Sequence, residues 1–161
     1  RKALWEYMYE WRNSFCDVAI WDKGHGAPQL AHQVMNSVFE FIIFMTSQMK
    51  ANRSIKTGNF HGDVDNVFRF PPQRKNEFSQ IHGATFPIEL PVGIITKFSN
   101  DGDSVIDSFL GTGTTLIACE QTNRICYGME IDPLYCDVII LRYCNLVGVN
   151  PEDIYNKRKT V

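Results

Sequence analysis

Several things are scarce in this 161-residue chain, and each absence removes a class of function. No lysine stands between Lys97 and Lys157, so the glycine-rich stretch in that interval is not a phosphate loop, which closes on Gly-Lys-Ser/Thr. Nor does a third glycine follow Gly113, where Thr114-Thr115-Leu116 stand, and a nicotinamide fingerprint needs one. The five cysteines (Cys16, Cys119, Cys126, Cys136 and Cys144) are odd in number and lack Cys-x-x-Cys spacing. Several lie in apolar runs, which favours buried reduced thiols over disulfides or zinc. His25, His32 and His61 are not spaced as metal ligands, so no metal is assigned. No apolar run approaches the roughly 20 residues of a bilayer span, and no secretory signal is visible. The setting expected from these features is reducing and cytoplasmic. Basic charge is not in excess either: 16 Lys and Arg face 18 Asp and Glu, a net charge of −2, without the basic footprint of a large DNA contact. Lys50, Arg53 and Lys56, and Lys157, Arg158 and Lys159, gather locally and read first as solvated surface, with phosphate contacts the alternative. No repeat or low-complexity segment appears, and 44% hydrophobic content is enough for the core of one domain, taken as residues 1–161.

What is present centres on residues 107–115. The apolar run Ser104-Val105-Ile106 ends in Asp107, and Ser108-Phe109-Leu110-Gly111-Thr112-Gly113-Thr114-Thr115 follows. This pattern reads as a strand ending in an acid, a glycine turn and a helix opened by threonines. Glycines admit a ligand close to the backbone, and Thr114 or Thr115 is expected to cap the helix. Arg124-Ile125-Cys126-Tyr127-Gly128-Met129-Glu130 reads as a second strand ending in an acid. A carboxylate roughly 20 residues past the first turn is placed to accept hydrogen bonds from ribose hydroxyls. An acid at the first strand tip would repel a pyrophosphate and attract an ammonium group, so charge favours S-adenosylmethionine over a dinucleotide. The competing interpretation is an ordinary strand-turn-helix.

The wider pattern predicts an α/β chain. Helices are expected at Arg1–Asn13, Ile88–Ser99, Thr114–Thr122 and Pro133–Val147. The third follows the glycine turn, and the fourth has Pro133 at its first turn and Gly148 at its stop. Strands are expected at Asp17–Trp21, Val38–Thr46, Val64–Phe70, up to Phe109, and Ile125–Glu130. Residues Asn59–Asp63 have hairpin-turn character, making Val64–Phe70 the expected partner of Val38–Thr46. Strand–helix alternation in the second half predicts parallel pairing. Asp22-Lys23 reads as a turn or surface ion pair sooner than as part of a cleft.

These residues resemble the permuted branch of the amino-group (N6-adenine and N4-cytosine) DNA methyltransferases. Asp107 to Thr115 is similar to Asp-Pro-Phe-x-Gly-Ser-Gly-Thr-Thr, and His82-Gly83-Ala84-Thr85-Phe86-Pro87-Ile88-Glu89-Leu90 to His-Pro-Ala-x-Phe-Pro-x-Glu-Leu. Gly128-Met129-Glu130-Ile131-Asp132-Pro133-Leu134-Tyr135 resembles Gly-x-Glu-Ile-x-x-x-Tyr. Ser108 and Gly83 replace prolines, and neither change removes a polar ligand. The resemblance implies a Rossmann-like, three-layer αβα fold divided into residues 1–81 and a cofactor-binding part, 82–161. It implies S-adenosylmethionine as cofactor, held by Phe86, Pro87, Asp107, Ser108, Phe109, Gly111, Thr112, Gly113, Thr114, Glu130 and Ile131. Phe86-Pro87 would wall the methionine end, or act as a hydrophobic staple before the helix.

The family's polar-Pro-Pro-aromatic motif is not found. The double proline in Phe70-Pro71-Pro72-Gln73 has no aromatic after it and reads as a strand end. The sequence is therefore expected to be the C-terminal part of a longer methyltransferase whose catalytic loop lies before Arg1, and to be inactive alone. The resemblance implies double-stranded DNA as the substrate in a prokaryotic or phage cytoplasm. Sequence choice is expected to reside elsewhere, because the loop before Phe86 is too short for a target-recognition domain. Without the motif, adenine N6 and cytosine N4 stay equally open. The family's catalytic strand sits mid-sheet, so its absence predicts exposed edges that a homodimer or strand exchange covers, or collapse of the gap. Two alternatives are an inactive cofactor- or partner-binding module and an RNA methyltransferase.

Overall fold

The computed structural model describes residues 2–26, 32–47, 55, 57, 60–72 and 86–158. The chain divides into two compact units, 1–71 and 72–161. In the first, helix α1 (Lys2–Glu10) precedes strands β1 (Phe15–Asp22), β2 (Phe39–Met45) and β3 (Val67–Arg69). The strand order is β2-β1-β3. β2 runs antiparallel to β1, with Val18 opposite Ile43 and Trp21 opposite Glu40. β3 runs parallel to β1, with Trp21 opposite Phe68. Cys16, Ala19, Trp21 and Phe68 are buried, and the Trp21 indole N–H donates to the Phe70 carbonyl at 2.7 Å.

The hairpin expected between Val38–Thr46 and Val64–Phe70 does not form. β3 is shorter than expected and takes the far side of β1. β1 is the central strand, paired through its backbone on both flanks, and its Ala19 and Trp21 are buried. A parallel partner needs a long connection, and residues 23–66, which include β2, lie between β1 and β3. Asp22 ends β1 and Lys23 follows it, each in an ion pair, Asp22 with Arg69 and Lys23 with Glu40. Asp22 Oδ1 accepts from the Gly24 N–H at 2.8 Å, and Lys23 Nζ meets Glu40 at 3.0 Å.

The second unit holds α2 (Glu89–Phe98), β4 (Ser104–Asp107), α3 (Thr114–Gln121), β5 (Ile125–Gly128), α4 (Pro133–Val147) and α5 (Pro151–Arg158). β4 and β5 pair in parallel, with Val105 opposite Cys126 and Asp107 opposite Gly128. The expected parallel βαβ unit is therefore present. Its core is Ile95, Ala118 and Cys119, against which Ile88, Val92, Val105 and Cys126 pack. Alternation sends Ile106, Ile125 and Tyr127 to the opposite face, where they are exposed. Arg124 ties the sheet to the end of α2: its guanidinium donates to Ser99 O at 2.7 Å and to Asp101 Oδ1 at 2.6 Å.

α4 has the bounds that its proline and glycine announce. Asp132 Oδ1 accepts from the Leu134 N–H at 2.9 Å, Pro133 opens the first turn, and Gly148 closes the helix at φ 73°. α5 was not expected. It starts at Pro151 after Asn150, whose Oδ1 accepts from the Glu152 N–H at 3.1 Å, and carries Glu152 and Asp153 in its first turn. The described strands form two sheets, of three and two strands, and no strand among the described residues joins them.

Candidate functional site

The turn between β4 and α3 is held by hydrogen bonds that bring two carboxylates onto it. At the tip of β4, Asp107 Oδ1 accepts from the Phe109 N–H at 2.9 Å. The Asp107 carbonyl accepts from Met129 N at 2.9 Å, and Leu110 N donates to the Met129 carbonyl at 2.9 Å, so the segment after β5 is laced to the turn. That lacing carries Glu130 into place. Its Oε2 accepts from the Gly111 N–H at 2.7 Å and its Oε1 from the Asp132 N–H at 2.9 Å. Both acids expected at the strand ends therefore grip one short loop, Asp107 at Phe109 and Glu130 at Gly111.

The glycines have separate physical reasons. Gly113 sits at φ 83°, and a Cβ there would lie 3.1 Å from Ile139 Cγ1. A side chain would thus meet both left-handed strain and the wall of α4. At Gly128 a Cβ would lie 2.5 Å from Leu110 Cδ2, so the end of β5 is bare because Leu110 lies over it. Around the turn, apolar side chains face solvent: Phe109 is 90% exposed and Ile131 97% exposed, and Ser108 is also exposed. Such exposure of neighbouring large side chains costs hydration free energy that a flat apolar ligand would recover.

The threonines behave differently from expectation. Neither Thr114 nor Thr115 caps α3; the cap position is Gly113, with no side-chain cap bond. The reason is the left-handed Gly113, which leaves Thr114 as the first helical residue, its hydroxyl turned inward to an arginine. Thr112 and Thr114 are buried. The Arg142 guanidinium on α4 donates through one nitrogen to Thr112 O at 2.5 Å, Thr112 Oγ1 at 3.1 Å and Thr114 Oγ1 at 3.3 Å. Burial lowers the Arg142 pKa from its ordinary value, the direction expected for a cation drawn out of water. Arg142 was missed in the sequence; its one signal is a charge directly after the apolar run Val138-Ile139-Ile140-Leu141.

The thiols of α3 and β5 are held in the neutral form. Burial, reinforced by the neighbouring Cys126, pushes the Cys119 thiol up to about 12, and the Asp107 charge adds in the same direction. Burial also raises Cys126. Phe86 and Pro87 lie just before α2 in the same unit, the first half-buried and the second buried, and the Pro87 carbonyl accepts from Leu90 N at 3.2 Å. That bond belongs to the start of the helix. His82, Gly83, Ala84 and Thr85 lie outside the described residues.

Residues 1–141 match a family of N6/N4 methyltransferases described as DNA methylase. The type II methyltransferase M.Cfr9I of Citrobacter freundii is 32% identical over 132 residues, which is 76% of this chain and 42% of that protein. The chain thus spans less than half the length of this curated relative. Among solved structures, the cytosine-N4-specific PvuII DNA methyltransferase is similar with a TM-score of 0.72 at 16% identity, over 96% of this chain and 60% of that one. The M1.HpyAVI–SAM complex is similar with a TM-score of 0.65 at 21% identity, over 88% and 68%. At these identities the likeness concerns the fold, which is the mixed α/β, Rossmann-like fold expected from the sequence.

Proposed function

The chain belongs to the DNA methylase family, and from that premise we propose that it forms the S-adenosylmethionine-binding part of a DNA amino-methyltransferase. The observation that carries this reading is the convergence of Asp107 and Glu130 on one turn whose Ser108 and Phe109 face solvent. Two acids suit a ligand with an ammonium group, a sulfonium and ribose hydroxyls, and oppose a pyrophosphate. Asp107 attracts the ammonium end, and Glu130 accepts from the ribose. Phe109 and Ile131 offer apolar faces to the adenine ring, while Ser108, Gly111, Thr112, Gly113 and Thr114 shape the backbone around it. Phe86 and Pro87 wall the methionine end. The cofactor supplies an already activated methyl group, so what the protein adds is position and charge complementarity.

The substrate is double-stranded DNA, and the acceptor is the exocyclic amino group of a flipped adenine (N6) or cytosine (N4). The base-holding polar-Pro-Pro-aromatic segment is not in this sequence. Phe70-Pro71-Pro72-Gln73 does not stand in for it, because Phe70 carries no polar side chain and Gln73 no aromatic ring. This favours a chain that binds cofactor and transfers no methyl group alone, the base-holding part being supplied by another segment in the prokaryotic cytoplasm. The same absence supports the second reading, an inactive cofactor- or partner-binding module; an RNA substrate remains the alternative for the complete enzyme.

Calorimetric titration with S-adenosylmethionine and its demethylated product tests the proposal. The expected result is saturable binding that weakens sharply in Asp107→Ala and Glu130→Ala. A folded chain that binds neither compound would overturn it. Assaying DNA and RNA oligonucleotides with the full-length product separates the substrates.

A further inference from the structure

We propose that Arg142 is a positioning residue for the β4–α3 turn, clamping it from beneath so that its outer side is preformed for the cofactor. The inference rests on the reading of this turn as the cofactor site and adds a residue to it.

A guanidinium drawn partly out of water, as half-buried Arg142 is, loses hydration, and the loss is offset where acceptors meet it. Here the acceptors are the turn itself: the Thr112 carbonyl at 2.5 Å, the Thr112 hydroxyl at 3.1 Å and the Thr114 hydroxyl at 3.3 Å. These two residues flank Gly113, which rests against Ile139, one helical turn before Arg142 on α4. One helix therefore fixes Gly113 by contact and its two neighbours by hydrogen bonds. With the inner side committed, the outer side is left to Asp107, Phe109, Gly111 and Glu130. Because Arg142 bonds the carbonyl as well as both hydroxyls, it sets backbone position. Preorganisation of this kind raises affinity by lowering the ordering cost of binding. All three bonds come from one guanidinium nitrogen, so a lysine ammonium, a point donor on a shorter stem, can recover some of them.

The test compares Arg142→Met and Arg142→Lys with the parent chain, using calorimetric affinity for S-adenosylmethionine well below every melting temperature and amide hydrogen exchange at Gly111 and Gly113. Expected for Arg142→Met is a roughly tenfold or greater loss of affinity, with faster exchange at the two glycines and unchanged exchange in β4 and β5. Arg142→Lys should restore affinity in part, and Thr112→Val in the Arg142→Met background should add little further loss. A folded Arg142→Met with parental affinity and parental exchange at the glycines overturns the proposal, as does simple additivity with Thr112→Val. If Arg142→Met does not fold, Arg142→Lys decides: an intermediate loss supports the proposal, and parental values in both measurements overturn it. If the parent binds no S-adenosylmethionine, the reading of the site fails. The exchange measurement still decides whether Arg142 holds the turn.

Discussion

At the scale of single residues, Asp107 combines a structural bond with a negative charge, and an asparagine separates them. The bond to the Phe109 N–H uses one oxygen, which an amide carbonyl can replace. Asp107→Asn is therefore expected to melt within a few degrees of the parent while losing roughly tenfold or more in S-adenosylmethionine affinity, since a hydrogen bond involving a charge is worth ~1.5–3 kcal/mol. Parallel melting and calorimetry check this; equal affinity in a stable variant would remove the ammonium role. Gly113→Ala should lose both properties. A methyl group there would sit 3.1 Å from Ile139 Cγ1, so Ile139 must give way, and left-handed backbone (φ 83°) alone costs an alanine ~1–2 kcal/mol, readable in a denaturant titration. Cys119 supplies a pH dependence. Its folded-state pKa, raised by burial from 9.0 to about 12, means the neutral thiol is favoured in the folded chain. The associated stability is present below pH 9 and is lost as pH climbs toward 12. Melting temperature against pH should decline less steeply over that interval in Cys119→Ala. The acids and glycines of this turn were legible in the sequence because they follow local spacing. Arg142 was not, because its partners lie about 30 residues away and only the fold reveals which way a helical arginine turns.

At the scale of elements, the strength of the local signals decided what could be read. α4 shows its limits through Pro133 and Gly148, and β4 and β5 were legible by the acids at their ends, though each stops two residues short of its expected limit, Phe109 or Glu130. β3 was recognisable as a strand, but its partner was not, because pairing with β1 is a relation between Trp21 and Phe68 across 46 intervening residues. α5 escaped because its residues are mostly polar and show no apolar stripe, although Asn150, Pro151, Glu152 and Asp153 spell a helix start. That start is testable. Asn150→Ala removes the side-chain acceptor of the Glu152 N–H and should destabilise α5 by ~0.5–2 kcal/mol. The expected signature is faster amide exchange confined to residues 151–158, with the β4–β5 amides unaffected. Tyr155, whose hydroxyl donates to Asp137 at 2.7 Å, joins α5 to α4, and its removal should act on the same amides. Loss of protection throughout the unit would show instead that α5 is part of the core.

At the scale of the whole molecule, the outstanding fact is uncovered apolar surface on both units. On the second, Ile106, Ile125 and Tyr127 occupy one face of a two-stranded sheet and are exposed by 75%, 51% and 59%. On the first, Trp5 and Tyr9 of α1 are exposed by 68% and 71%. Covering a large apolar side chain returns ~1.5–3 kcal/mol, so several together provide a strong drive to associate, and exposed patches of this kind mark interaction surfaces. The near-neutral charge, −2, offers little electrostatic repulsion against it. The chain alone is therefore expected to self-associate, with sedimentation velocity giving a weight-average mass that rises with concentration. Lysine placed on the open sheet face should reverse this, because an edge or face bearing charge resists pairing. Tyr127→Lys combined with Ile125→Lys is expected to shift the chain toward monomer. Trp5→Lys should have a separate and smaller effect if the sheet face is the main contact. The β4 tip and the turn bonds of Asp107 are untouched by these changes, so S-adenosylmethionine affinity per chain should persist in the monomer. A parent chain that stays monomeric at every concentration would refute association through this face. Loss of affinity on dissociation would instead make the partner copy part of the site, and no longer merely its cover.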